Sequence, residues 1–168
     1  LYSKIITEVK PDFVFIWELI CNNKGPMVSP RMFSDLFLPS YKKLIQSMKD
    51  LGAKNIWIDI QGYSWEILDL FIKAGATGTL PIEVKSGMNV LELRNQYPRL
   101  QLIGGIERMA LVRGKKDIDL ELERVAPLVP MGGYIPTIDH SFSSDIPWDN
   151  FKYFIEGLRR ITNVPIRP

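Results

Sequence analysis

The stretch NIWIDIQ, residues 55–61, decides the fold, because isoleucine occupies every second position in it. The period of two in a β-strand puts the three isoleucines on one face and Trp57, Asp59 and Gln61 on the other. The isoleucine face is suited to cover by helices. The other face carries a carboxylate and an amide, which indicate a functional surface.

Four further apolar runs of similar length occur along the chain. Most are short and rich in β-branched or aromatic residues, as buried strands are. They cover residues 13–17, 78–84, 100–106 and 133–138. We therefore predict five strands in all.

Segments with helical periodicity separate the predicted strands. Their apolar residues recur three and four positions apart, which gives each helix one buried stripe. The clearest stripes consist of Tyr41, Leu44, Ile45 and Met48, and of Phe151, Phe154, Ile155 and Leu158. Helix starts are predicted at Ser29-Pro30 and Pro147, and helix ends at Gly52 and Gly75.

Strands that alternate with helices through short connections favour βαβ units and a parallel sheet. The chain is thus predicted to be an α/β protein with about five such units. A doubly wound sheet usually carries a glycine-rich phosphate loop before its first helix, and residues 103–106 resemble that loop only weakly. The strand pattern alone leaves the barrel and the doubly wound sheet open.

Composition narrows the classes of partner. With 46% hydrophobic and 24% charged residues and a net charge of +2, the chain has the balance of a soluble globular domain and no basic stripe for nucleic acid. No apolar run is long enough to span a membrane. Cys21 is the only cysteine, which excludes an internal disulfide and fits a reducing compartment, so we expect the cytoplasm.

Four stretches resemble the uroporphyrinogen decarboxylase superfamily, which also contains corrinoid-linked methyltransferases. In order along the chain they are FVFIWELICNNKGPMVSPRMFSDLFLPSYKKLI (13–45), ATGTLPIEVKSGMNVLELRNQYP (76–98), LIGGIERMAL (102–111) and GGYIPTIDHSFSSDIPWDNFKYFIE (132–156). The resemblance implies a (β/α)8 TIM barrel. Because such a barrel has eight units over about 250 residues, we expect residues 1–168 to be a single-domain fragment with the last five units. The start without methionine agrees with an internal piece.

In a barrel of this type the site lies at the carboxyl ends of the strands. The resemblance therefore implies a site made of residues that end or follow the five predicted strands. Catalytic roles are expected for Asp59, Glu83, Asp139 and His140, and substrate-binding roles for Trp17, Glu18, Gln61 and Arg108.

Structural roles are the alternative for several of these residues. Asp59 and Glu83 could each accept a hydrogen bond from a loop amide, and His140 could be satisfied by loop backbone. Glu18 could orient the loop through Asn22 and Asn23. Arg108 could clamp a substrate carboxylate or form an ion pair with Glu107 or Asp117.

The family pattern is broken at two places. Corrinoid methyltransferases of this superfamily hold zinc with a His-x-Cys pair and a later Cys, where this chain has Asp59-Ile60-Gln61 and Asp139-His140. Glutamine is rarely a zinc ligand. Leu19 stands where the decarboxylase has a serine after Phe-Glu, and the decarboxylase's tetrapyrrole-binding aspartate and arginines belong to the N-terminal half.

We therefore expect a decarboxylase-like lyase that acts on a carboxylated tetrapyrrole, or a related small molecule, without a cofactor or metal. The alternatives are a methyltransferase that uses a corrinoid or a methylated substrate, with zinc possible in that case, and a barrel module without chemistry. No nucleic acid or membrane partner is expected. A homodimer is expected, because the fragment leaves sheet edges and an inner face around Trp57 uncovered.

Overall fold

A computed structural model of the chain describes residues 2–163. The chain divides into two compact units, one up to Leu80 and one from Pro81 onward. The two units are described separately below. Among the described residues no helix is long and apolar enough to cross a membrane.

The first unit begins with a helix and contains the first strands of the chain. Its elements are α1 (Tyr2–Val9), β1 (Val14–Glu18), β2 (Cys21–Asn22), β3 (Gly25–Pro26), α2 (Pro30–Met32), a π-helical segment (Phe33–Phe37), α3 (Leu38–Asp50), β4 (Ile56–Ile60) and α4 (Trp65–Ala74). Strand β5 (Gly78–Ile82) crosses the boundary between the units.

The second unit alternates strands with helices to its end. Its elements are a short 3-10 helix (Val84–Ser86), α5 (Val90–Gln96), β6 (Gln101–Ile106), α6 (Arg108–Arg113), α7 (Lys115–Val125), a second 3-10 helix (Ala126–Met131), β7 (Tyr134–Ile138) and α8 (Trp148–Thr162).

The five long strands form one sheet in the order β1-β4-β5-β6-β7, and β2 and β3 form a separate two-stranded hairpin. The pairings of β1 with β4, of β4 with β5 and of β6 with β7 are parallel. All five strands coincide with the predicted runs, so the predicted α/β class and parallel sheet are confirmed. The barrel stays a prediction.

The alternation in residues 55–61 has the expected effect on one face of β4. Ile56, Ile58 and Ile60 are almost fully buried in the core of the first unit, where helices α3 and α4 contribute residues such as Ile45 and Phe71. Burial of each of these side chains contributes about 2 kcal/mol. The strand is therefore anchored by its isoleucine face.

The opposite face of β4 corrects one expectation. Trp57 was expected to lie open, but only 8% of it is exposed, and its ring stacks on Phe13 with a centroid distance of 4.2 Å. Apolar side chains are exposed on the neighbouring strand β1, where Phe15 and Trp17 are 55% and 63% exposed. Phe15 and Trp17 are two positions apart and therefore lie on the same face of β1, an edge strand of the sheet.

A buried arginine fastens the loops of the second unit. Arg94 is only 3% exposed. Its guanidinium donates to the carbonyl oxygens of Pro98 and Leu100, at 2.7 and 3.1 Å, and to those of Gly132 and Gly133, at 3.0 and 2.9 Å. These bonds tie the turn before β6 to the turn before β7. Both turns are thereby fixed where the two strands begin.

Close packing at β6 requires glycine. Gly104 has a φ of +110°, and a Cβ atom there would lie 2.6 Å from the backbone nitrogen of Ile82. A side chain is therefore excluded both by the backbone conformation and by the neighbouring strand.

The predicted helix boundaries agree with the structure. The hydroxyl of Ser29 accepts a hydrogen bond from the Met32 amide, and Pro30 is the first residue of α2. Gly75 ends α4 in the left-handed conformation. Helix α8 begins directly after Pro147. The hairpin of β2 and β3 was not predicted, because two-residue strands leave no period to detect.

Candidate functional site

The residues singled out in the sequence lie where their strands end. Glu18 is the last residue of β1, Asp59 and Gln61 lie at and just beyond the end of β4, and Glu83 follows β5. Glu107 and Arg108 follow β6, and Asp139 and His140 follow β7. In parallel strands these are the carboxyl ends, where loops carry ligands in α/β proteins.

Asp139 is the most deeply buried of these acids, with 3% of its surface exposed. One carboxylate oxygen accepts a hydrogen bond from the Val84 amide and the other accepts one from the Arg108 amide, each at 2.9 Å. The Lys85 amide also donates to this carboxylate. Asp139 therefore joins the loops that follow β5, β6 and β7.

Two opposing effects act on the pKa of Asp139. Burial raises it above its ordinary value of 3.8, and the negative charge of Glu83 raises it further. The three backbone N–H groups from Arg108, Val84 and Lys85 lower it, but they do not outweigh burial. The carboxylate is thus held in place by amides at an electrostatic cost.

His140 directly follows this buried acid and is exposed. Its Nδ1 atom accepts a hydrogen bond from the Ser141 amide at 2.8 Å. A ring nitrogen that accepts an amide hydrogen carries no proton, so the neutral imidazole holds its proton on Nε2. The loop thereby prepares Nε2–H as a hydrogen-bond donor towards a ligand.

Arg108 has a different partner from those considered in the sequence. Its guanidinium forms an ion pair with Asp145 at 3.0 Å and also donates to the hydroxyl of Ser143. The carboxylates of Glu107 and Asp117 bind Arg113 instead. Sequence distance favoured the nearer acids, whereas the fold brings the loop after β7 to Arg108.

In the first unit, Asp59 lies on the same face of β4 as Trp57. Burial raises the pKa of Asp59 above its ordinary value of 3.8. No amide hydrogen bond contributes to this shift, in contrast to the shift of Asp139. Asp59 therefore takes up a proton more readily than an exposed aspartate does.

Glu18 has a side-chain partner that the sequence did not indicate. It forms a hydrogen bond with the hydroxyl of Tyr41 on α3, and this bond adds to the effect of burial in raising the pKa of that tyrosine. Asn22 uses its side chain within its own turn, where it accepts from the Lys24 amide at 2.8 Å. Glu18 thus contacts α3 through Tyr41, while the Asn22 side chain serves its own turn.

The donor atoms in the described residues do not fit the zinc site that the resemblance to corrinoid methyltransferases implies. Within residues 2–163 no three histidine, cysteine, aspartate or glutamate side chains are grouped so that they could hold a metal ion. Cys21, the one thiol, has its pKa raised to about 11 by burial and by the charge of Glu66. A thiolate ligand is disfavoured there, so we derive no step through zinc.

Comparisons with known proteins agree on the fold. A family model described as uroporphyrinogen decarboxylase (URO-D) matches residues 3–161. No curated protein matches the chain. Among solved structures, a methyltransferase from Methanosarcina mazei matches with a TM-score of 0.68 at 17% sequence identity, covering 95% of this chain and 45% of that one. The chain thus spans less than half the length of that methyltransferase.

Proposed function

The chain belongs to the uroporphyrinogen decarboxylase family, and on that premise we propose that it is part of an enzyme that decarboxylates a carboxylated tetrapyrrole or a related substrate. The observation that carries the proposal is the geometry of the loop after β7. There Asp139 is fixed by backbone amides, and the next residue, His140, is exposed with Nε2–H as its donor.

The proposed chemistry needs few groups. The bond between the carboxyl carbon and the adjacent methylene breaks, carbon dioxide leaves, and the electron pair passes into the protonated pyrrole ring. A proton then adds to the methylene carbon and makes it a methyl group, and the ring releases the proton that it took up before decarboxylation, so that one proton is consumed in total. The protein must hold the carboxylate, exclude water and supply that proton, and no separate cofactor is required.

His140 is suited to the first of these tasks. Its Nε2–H can donate to a substrate carboxylate, while Nδ1 stays engaged with the Ser141 amide. Asp139 acts as a positioning residue in this scheme, because both its oxygens are occupied by amides at 2.9 Å. It sets the position of His140 and does not itself touch substrate.

In the first unit, taken by itself, Asp59 has the chemistry of a proton donor. Its raised pKa favours the protonated form more than an ordinary aspartate would, and a general acid works best when its pKa approaches the pH at which it acts. Trp17 and Glu18 on strand β1 pair with Asp59 and Ile60 on β4, so they belong to the same unit as Asp59. Glu83 and Arg108, which both belong to the second unit, are proposed as further substrate contacts there, and Gln61 in the first unit stays a prediction from the sequence.

Methyl transfer is the second candidate, because a solved structure that matches the chain is described as a methyltransferase. Against a zinc-dependent version stands the donor set of this chain, in which Asp59 replaces the imidazole ligand, Gln61 replaces the first thiol, and Asp139-His140 occupies the position of the second thiol. Decarboxylation depends less on such donors, so it is the function we favour.

The test is product analysis on a protein in which this chain is joined to the N-terminal half that the family supplies. Uroporphyrinogen is incubated with it, and the products are separated and weighed by mass spectrometry. We expect the mass of the tetrapyrrole to decrease in successive steps of about 44 Da, the mass of one carbon dioxide molecule. Mass gains of about 14 Da on an added thiol, with no loss of carbon dioxide, would support methyl transfer instead.

A further inference from the structure

Three aromatic side chains form an exposed cluster in the second unit. Phe142 lies in the loop after β7, and Trp148 and Phe151 lie in the first turn of α8. The ring of Trp148 stacks on Phe151 at a centroid distance of 5.1 Å, and Phe142 meets Phe151 edge-on at 5.0 Å. Phe142, Trp148 and Phe151 are called the aromatic shelf below.

The outer rings of the aromatic shelf are open to solvent. Phe142 is 50% exposed and Trp148 is 67% exposed, whereas Phe151 is half-buried beneath them. Exposed large aromatic side chains that pack on one another are costly in water and mark surfaces that meet a ligand or partner. The outer ring faces of the aromatic shelf are thus accessible to a ligand.

The loop that carries Phe142 is held at several points. Asp139 accepts the Arg108 amide at its start, and the Arg108 guanidinium binds Ser143 and Asp145 further along. The Ile146 amide donates to the carbonyl oxygen of Ser143 at 3.2 Å. The ring faces are therefore presented in a fixed arrangement, which lowers the entropy lost on binding.

The charges around the shelf indicate what kind of ligand it would take. Asp145 is paired with Arg108, and Asp149 is paired with Lys152 at 2.8 Å, so the local charges are balanced. Recognition must then come from the ring faces together with the donor on His140, two residues before Phe142. A flat conjugated ring that also carries hydrogen-bond acceptors fits this combination.

We propose that the aromatic shelf stacks on a flat conjugated ring of the ligand while His140 donates to one of its acceptors. The identification of that ring as a pyrrole of a tetrapyrrole rests on the proposed function. Stacking itself does not, since it requires only a planar ring.

The experiment uses this chain and two probes, uroporphyrin and riboflavin, each followed through its own absorbance or fluorescence. Riboflavin supplies a flat conjugated ring that is not a tetrapyrrole. The test variant is Trp148→Leu. The control is Tyr2→Leu, because Tyr2 is also an exposed aromatic residue, at 42%, and lies on α1 of the first unit, which carries none of the predicted site residues. Circular dichroism melting shows that each variant is folded, and Trp148→Phe keeps a stacking ring if the leucine variant is unstable.

We expect Trp148→Leu to weaken binding of both probes about fivefold, as loss of one aromatic stack does, with Tyr2→Leu unchanged. If riboflavin weakens while uroporphyrin does not bind even to the wild type, the shelf stands and the tetrapyrrole function fails. If uroporphyrin binds Trp148→Leu as tightly as wild type, the shelf proposal is wrong and the function is untouched. Binding of neither probe to the wild type would also overturn the shelf.

Discussion

The two units hold their buried acids in different ways. Asp139, in the second unit, is almost fully buried and accepts three backbone amides, whereas Asp59, in the first unit, owes its raised pKa to burial alone. An acid whose oxygens are filled by amides fastens loops, and an acid without that support retains a tendency to exchange a proton. Burial alone thus does not identify a catalytic acid.

The largest effect on activity is expected at His140, the residue that follows the buried acid Asp139. His140→Ala, in the protein that joins this chain to the N-terminal half of the family, should lower turnover of uroporphyrinogen about a hundredfold. The melting temperature should change little, because the His140 side chain is exposed. Initial rates and thermal melts of the same preparations check this.

His140→Gln is the matched variant, since its amide can still donate to a carboxylate. It should recover part of the activity that alanine loses. Unchanged turnover with a melting temperature many degrees lower would mean that His140 is only structural.

Asp139→Asn should give the next largest effect, on stability. The amide group of asparagine keeps one acceptor oxygen but turns an NH2 group towards a backbone N–H, so one buried donor loses its partner. We expect the free energy of unfolding to fall by about 2 kcal/mol, measured by urea denaturation at pH 7. Asp35→Asn is the control, because its ion pair with Arg31 is exposed and contributes little.

A decrease in the free energy of unfolding as small as that of Asp35→Asn would contradict the assignment of Asp139 as the residue that holds the three loops together. It would leave the carboxylate free to be interpreted as a substrate contact.

The first unit should also govern assembly. Phe15 and Trp17 are exposed on edge strand β1, and the exposed residues Phe13 and Leu19 directly before and after the strand continue the alternation. Such an edge is a template for pairing with another chain. We expect this chain to form a dimer at micromolar concentration. Trp17→Ser should raise the dissociation constant of this dimer about tenfold, because apolar area buried in the dimer is lost.

Light scattering over a concentration series measures this constant, and Trp148→Ser provides the control from the second unit. A mass of one chain at every concentration would refute the dimer. Equal weakening by both substitutions would contradict the assignment of the interface to β1.

The smallest effect is expected at Asp59, and its sign is opposite to that at Asp139. A raised pKa in the folded state means that stability from this group is fully present below 3.8, the ordinary value, and is lost as pH rises through the folded value. Asp59→Asn should therefore stabilise the chain by less than about 1 kcal/mol at pH 7. The gain should vanish near pH 3.

Urea denaturation of Asp59→Asn and wild type between pH 3 and pH 8 provides the comparison. A destabilised variant at pH 7 would show that Asp59, like Asp139, is held by partners that asparagine cannot replace.

The sequence predicted the strands well because each one carries its own signal. The isoleucines of β4 alternate, and the acids that follow the strands are visible as polar residues after apolar runs. Long-range partners carry no such signal. Nothing near Arg94 in the chain shows that it binds the carbonyls of Gly132 and Gly133, and nothing near Glu18 points to Tyr41.

The pairing of Arg108 shows the same limit. Glu107 and Asp117 were the nearest acids in sequence, but the parallel pairing of β6 with β7 brings together the loops that follow these strands. Asp145 thereby becomes the partner, at 3.0 Å. Local patterns predict elements, whereas the topology decides which side chains at their ends meet.

The orientation of His140 is the claim on which the proposed function rests, and nitrogen NMR tests it most directly. The chain has a single histidine, so the ring signals of a 15N-labelled sample need no assignment. At a pH where the imidazole is neutral, we expect Nδ1 to be unprotonated and Nε2 to carry the proton in one dominant tautomer. A proton on Nδ1, or the tautomer mixture of a free histidine, would contradict the account.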